Sequence, residues 1–412
     1  MAAVINQHPS VTTESSLGEN AKMELTQKIE GQLMGRIAGI HLLEREDGIL
    51  TINEDRTLRV LLKRESGMFW PSIIQDLPHI PTKLSCSEHK NSIFVGLANG
   101  QIHEYSIEND FNSISFKRQW NSHTSSVSGL GFSGRLEQLV SCAKDKTIIW
   151  HCTSTARKIG SYCTGSPCTA LQFDGDASFV FVGDYAGNIA VLRLVVGTQQ
   201  PQLISKLCAH TGAITDLCWD LSHQHLYSAS TDSLVIVWDI GGKRGNCYEL
   251  NGHNAKLTRL ALGADSRRLF SVDESGRLVC WDMSARRIAA PEWVDSDKCE
   301  ICDTPFFWNL RVMWDRKIVG VRRHHCRTYC CGQSSVFPAM GFEKPARICK
   351  TCHEKMQNYP EQFDLTPLAV TNELRVGVIE MALQDRGDRP GKLVTVGYDR
   401  VIMFWDVQNL LK

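Results

Sequence analysis

The 412-residue chain has no run of about 20 apolar residues, so no stretch of it can cross a bilayer as a helix. Its start is polar through Glu24, rich in Ser, Thr and Glu, without the apolar core of a secretory leader. An excess of one charge is lacking too, because Lys plus Arg and Asp plus Glu both total 45. Global attraction to nucleic acid or to an acidic membrane is thereby excluded, and any such attraction must be local. The expectation is a soluble, non-secreted protein. Catalytic signatures are equally scarce: there is no phosphate-cradling Gly-rich loop, nucleophile elbow or His-Glu-x-x-His helix. Gly129, Gly131 and Gly134 match a dinucleotide fingerprint as a string, but they sit in a strand-like run and open no helix. The chain is expected not to be an enzyme.

Cysteine is abundant, and its distribution says more than its count of 16. Cys86, Cys142, Cys152, Cys163, Cys168, Cys208, Cys218, Cys247 and Cys280 are scattered, mostly in apolar runs where a reduced thiol packs as a small hydrophobe. A disulfide scaffold fits poorly to so long a chain without a leader. The remaining seven fall between Cys299 and Cys352 and point to metal.

A period runs through the rest. Trp150, Trp238, Trp281 and Trp405 each close a short apolar run, with gaps of 88 and then 43 residues between the first three. Steps of about 44 residues also reach Leu61, Tyr105 and Leu194, giving seven equivalent strands. Each follows a turn marked by Asp55, Asn99, Asp145, Gly187, Asp232, Gly276 or Asp399, the pattern of an all-β array. His123, His210 and His253 stand 27 or 28 residues before their tryptophans. This resembles the WD repeat. The resemblance implies a seven-bladed β-propeller in which His210, Ser228, Asp232 and Trp238 share one hydrogen-bonded set. Seven residues follow Trp405, too few for an outer strand, so 28–40 is expected to supply it and close the ring. Residues 1–26 are then a disordered tail, with blades one to six over 27–290 and the last blade over 360–412.

Between Trp281 and Trp405 the period breaks, since 124 residues stand where one repeat needs about 44. A second module is expected over 291–359, between the sixth and seventh blades. From Trp293 to Met356 it carries 11 Lys or Arg against 7 Asp or Glu. Cys299 with Cys302 and Cys349 with Cys352 form two Cys-x-x-Cys halves, suited to tetrahedral zinc. Cys326, Cys330 and Cys331 lie between them, so a metal-nucleated domain follows. Cys326 also sits inside the run Arg322, Arg323, His324, His325, Cys326, Arg327, whose cations complement a phosphomonoester.

Trp293 with its nearby acids, the run from Arg322 to Arg327, and Arg347 ahead of Cys349 resemble the three signatures of the FYVE zinc finger, in that family's order. Such a finger set into a WD propeller resembles the WD repeat and FYVE domain-containing proteins. That family implies phosphatidylinositol 3-phosphate binding, peripheral attachment to early endosomes from the cytoplasm, and a propeller that scaffolds protein partners. By resemblance Arg322, Arg323, Arg327 and Arg347 contact phosphates, His324 and His325 the headgroup, and Asp295 or Asp297 the inositol hydroxyls beside Trp293. The apolar tip from Ile318 to Val321 suits insertion into lipid through Val319 and Val321. Two zinc ions are implied. Cys326, Cys330, Cys349 and Cys352 would share one, whereas Cys299, Cys302 and Cys331 offer the other only three thiolates. The middle of the motif is shorter than the family's by about seven residues and one of its eight ligands. The alternatives are a zinc-finger propeller without lipid binding and a RING-like ubiquitin-ligase component. The basic run favours a phosphate pocket over a RING's apolar groove. No nucleic-acid partner is expected, because four of the ten tryptophans occupy the repeat position.

Overall fold

Each period of the sequence folds as one four-stranded antiparallel sheet. In blade two, Pro81–Ser87, Ser92–Leu97, Gln101–Ile107 and Ile114–Asn121 are hydrogen-bonded in that order. Seven such sheets are present in the computed structural model. It describes residues 23–30, 35–195, 197–241, 247–250, 252–284, 374, 376–385 and 391–411, and the backbone of Ser334–Phe337, Phe342–Arg347 and Ala369–Thr371. The first strands of successive blades are Ile37–Leu42, Pro81–Ser87, Val127–Ser133, Cys168–Asp174, Ile214–Asp220, Leu257–Leu262 and Val378–Gln384. Each packs on the next, and the last returns to the first, so the ring closes around a central channel. The chain is a seven-bladed all-β propeller, whose described helices are only Gln408–Leu411 and the 3-10 turn Glu88–Lys90.

Both faces of a blade are covered by its neighbours, so its middle strands read as continuous apolar runs rather than alternating ones. Ser92–Leu97 is buried at every position. The cores accordingly lie between blades: Leu50, Ile52 and Val60 of blade one pack with Ile93, Val95 and Tyr105 of blade two. Phe181 and Val191 of blade four likewise meet Leu217 and Trp238 of blade five. Stability of this kind is a sum over neighbouring interfaces. The glycines of the discounted fingerprint belong to it. A Cβ on Gly129 would stand 2.4 Å from the Leu171 Cβ, and one on Gly131 2.6 Å from the Phe173 Cβ, so these glycines let blades three and four approach.

Ring closure uses the chain's start, at a different place from the one expected. Glu24–Ile29 pairs with Ile402–Asp406 as the fourth strand of blade seven. The strand expected over 28–40 is thus displaced, and 37–42 forms the first strand of blade one instead. Burial explains the division: Ile37 is fully buried, whereas Glu24–Ile29 alternates in exposure as an outer strand does. The tail expected over 1–26 is shorter by the strand residues 24–26, and 1–22 lie outside the described residues.

Blade six holds a second difference. Leu257–Leu262, Arg268–Asp273 and Leu278–Asp282 are completed by Ala369–Thr371, with Leu278 opposite Thr371. The chain therefore leaves after the third strand of blade six and rejoins the same sheet as its outer strand. The break in period lies within blade six rather than between blades six and seven, and the first strand of the last blade starts at Val378. An outer strand follows a surface loop, where a long insertion disturbs no core. Among the scattered cysteines, Cys142, Cys168 and Cys280 are buried as expected, Cys86, Cys152 and Cys218 are half-buried, and Cys163 and Cys208 are exposed. The exposed pair close outer strands, Lys158–Cys163 and Gln202–Cys208, which have a solvent side. The Cys247 side chain lies outside the described residues.

Candidate functional site: two faces and a channel

The polar sets predicted from the repeat form inside the blades. His210 places Nδ1 3.0 Å from Asp232 Oδ2 and Nε2 2.7 Å from Ser228 Oγ, and Trp238 Nε1 donates to the same Oγ at 2.9 Å. Blade six repeats this with His253, Asp273, Ser271 and Trp281 at 2.9, 2.6 and 2.8 Å. Blade three joins His123 to Asp145 and Ser141. Among the described residues, blade seven keeps only the bond from Trp405 Nε1 to Thr395 Oγ1. Burial lowers the His123 and His253 pKa values, against the pull of Asp145 and Asp273. The Asp232 and Asp273 carboxyls are desolvated too, but bonds from their histidines and from nearby N–H groups bring them below the ordinary range. Ser228 and His210 superficially resemble a nucleophile with its base. Ser228 is fully buried and already takes the indole N–H, so no substrate reaches it. These sets are architecture.

Backbone bonds define two faces. At one end of every blade, the turn between the second and third strands donates an N–H to the residue ahead of the first strand. The seven pairs are Glu54 to Arg36, Ala98 to Ile80, Lys144 to Ser126, Tyr185 to Pro167, Thr231 to Ala213, Glu274 to Lys256 and Tyr398 to Gly377. At the other end, the N–H closing or following the third strand donates to the loop between the first two strands, as in Ile107 to Asn91, Met283 to Arg267 and Val407 to Gly391. Met283 leads directly out of blade six, so the long segment departs from this second face. Glu24 lies opposite Asp406 at the same end, so residues 1–22 attach there as well.

The residues expected to bind lipid and metal belong to that segment. Trp293, Asp295, Asp297, Val319, Val321, Arg322, Arg323, His324, His325, Arg327, Cys299, Cys302, Cys326, Cys330, Cys331, Cys349 and Cys352 lie outside the described residues. Arg347 ends the strand Phe342–Arg347, whose backbone pairs antiparallel with Ser334–Phe337, placing Arg347 opposite Ser334. The described residues contain no group of three or more metal-ligating side chains.

A charged ring in the channel escaped the sequence reading. All seven first strands carry a register irregularity ending on their third residue: Gly39, Lys83, Gly129, Ala170, Asp216, Arg259 and Glu380. Arg259 donates from Nε to Glu380 Oε2 at 3.0 Å and again from Nη2 to Oε1, joining blades six and seven. Asp216 Oδ2 accepts the Leu260 N–H at 2.9 Å, joining blades five and six. The signal was legible in principle, as one offset occupied by charge in four repeats of seven.

Seven four-stranded blades, two of them bridged internally by His, Ser, Asp and Trp and a third by His, Ser and Asp, define a WD-repeat propeller. The family model described as "WD domain, G-beta repeat" matches residues 114–151 and 201–239. Over the whole chain the similarity is closer. WD repeat and FYVE domain-containing protein 2 of Caenorhabditis elegans is 47% identical over 417 aligned residues, covering 100% of this chain and 98% of the relative. Protein 1 of Mus musculus is 36% identical, covering 99% and 96%, and protein 2 of Homo sapiens 36%, covering 93% and 95%. The chain belongs to the family of WD repeat and FYVE domain-containing proteins. Propeller and family names together point to a non-enzymatic scaffold or adaptor.

Proposed function

We propose that the chain is a phosphatidylinositol 3-phosphate-binding adaptor of early endosomal membranes, recruited from the cytoplasm by its inserted segment and holding protein partners on its propeller. One observation carries this reading: the cationic run from Arg322 to Arg327 lies in a cysteine-framed segment that leaves the propeller on the face opposite its exposed aromatic turns. Guanidinium forks match a phosphomonoester bidentately, and Arg322, Arg323, Arg327 and Arg347 supply four. His324 and His325 add donors that strengthen on protonation, while Asp295 or Asp297 accepts from ring hydroxyls beside Trp293. Val319 and Val321 would enter the lipid next to them.

The donor set fits zinc. Cys326, Cys330, Cys349 and Cys352 would hold one ion as a closed four-thiolate site, and Cys299, Cys302 and Cys331 a second with a side chain or water completing it. Zinc bound there supplies the fold of a segment too poor in aliphatic residues to fold by burial. Fluorescently tagged full chain is expected on endosomal puncta, with Arg323→Ala diffuse although its propeller melts unchanged. Puncta that persist in the variant would count against the assigned pocket.

A further inference from the structure

We infer that the channel mouth on the turn face is a receptor for an acidic side chain of a protein partner, with Lys83 as its recognition residue. The inference deepens the scaffold half of the proposed function by naming the chemistry of the partner. Lys83 is the third residue of blade two's first strand, just inside the turn face. The groups that act on its amine are Arg259, Glu380, Asp216 and Cys142, from blades six, seven, five and three. A blade-two side chain reaches all of them only across the central channel.

The four charged members of the ring are not equivalently placed. Glu380 is clasped by Arg259 through two hydrogen bonds. Asp216 takes backbone N–H groups of Leu217 and Leu260 on its two oxygens. Arg259 also donates to the Thr258 carbonyl. Lys83 donates no hydrogen bond among the described residues, and its flanking blades contribute Gly39 and Gly129 at the ring position. Two cations therefore face each other across the channel, and the Glu380 carboxylate is pinned to one of them. Arg259 and burial hold the Lys83 pKa down, opposed by Glu380, Asp216 and Cys142. A carboxylate arriving beside Lys83 replaces that repulsion with a charge-assisted bond.

The surroundings favour a peptide as its carrier. Ile80, three residues ahead of Lys83, is 47% exposed, and Val376 and the Tyr398 ring are exposed on the same face. Tyr398 stands close enough to Arg259 to act on it, and Arg36 stacks over the phenol at 4.7 Å. An extended segment crossing this face can bury apolar side chains on Ile80, Val376 and Tyr398 while one Asp or Glu descends to Lys83. Because the inserted segment leaves from the opposite face, membrane attachment and peptide capture are compatible in one molecule.

The test is selection of a random peptide library on the full chain, followed by synthesis of an enriched peptide and of its counterpart with the shared acid amidated. Enriched peptides are expected to share one Asp or Glu, and the Asn or Gln counterpart to bind wild-type protein weaker by on the order of tenfold or more. Lys83→Gln should lose the same factor, Lys83→Arg should retain binding, and Arg323→Ala, which disables the proposed lipid pocket, should leave the peptide bound. Affinity should fall as pH rises, because the depressed Lys83 amine must be protonated to meet the acid. Enrichment of peptides without a shared acid, no enrichment, equal binding by the amidated peptide, or competition by inorganic phosphate alone would overturn the assignment. Loss of phosphatidylinositol 3-phosphate liposome binding in Lys83→Gln would reassign the channel to the lipid.

Discussion

Propeller and inserted segment solve the same problem, holding polar residues in place, with different chemistry. The propeller buries apolar strands between blades and pins its histidines, serines and aspartates inside them, as in the bonds from His253 to Ser271 and Asp273. The segment beyond Met283 offers seven thiols and few aliphatics, and under the proposed reading a metal supplies its order. The propeller is expected to resist chelation and to weaken in acid. The other is proposed to depend on metal, and its proposed pocket gains charge in acid.

The largest expected separation comes from Cys349→Ser or from a strong zinc chelator. Either should abolish liposome binding while the propeller's unfolding transition stays within about 0.5 kcal/mol of wild type. Elemental analysis before and after chelation refines this: two zinc ions per chain mean that the three-thiolate set closes with another ligand, and one that it does not. Next in size is Trp281→Ala, which empties a fully buried site between blades five and six and should cost about 3–5 kcal/mol in urea unfolding. Lipid binding per folded molecule should not change. Ser228→Ala is smaller, because it leaves His210 Nε2 and Trp238 Nε1 without a buried partner, and should cost about 1–3 kcal/mol.

Acid gives the subtlest contrast, and its signs are opposite in the two regions. His123 and His253 have folded pKa values below the ordinary value of 6.5, so the unfolded chain takes up protons first. Their contribution is full above that pH and is lost as pH falls below it. Asp145, Asp232 and Asp273 are also depressed, which extends the loss below their ordinary value of 3.8. Melting temperature should therefore drop on acidification from pH 7 to 5. Liposome binding, assisted by protonated His324 and His325, should rise over the same interval.

The repeat was legible because a closed ring imposes one environment seven times: Trp238 and Trp281 fill the same place, and the period exposes them. His210, Ser228, Asp232 and Trp238 could be named in advance for that reason. Boundaries were harder where the ring borrows strands. Glu24–Ile29 belongs to blade seven and Ala369–Thr371 to blade six, and neither carries a repeat signature of its own, because an outer strand is held by backbone pairing on one side only. Lys83, Asp216, Arg259 and Glu380 went unseen for the opposite reason. Their meaning is collective, arising from four blades around one channel, and nothing in any single repeat marks it.

The central claim is that the cationic run in the inserted segment selects a phosphorylated headgroup. Flotation of the zinc-loaded full chain with liposomes containing phosphatidylinositol 3-phosphate, against otherwise identical liposomes containing phosphatidylinositol, tests it most directly. The account predicts recovery of the chain with the first and not the second, and loss of that recovery in Arg323→Ala. Equal recovery on both kinds of liposome would contradict it.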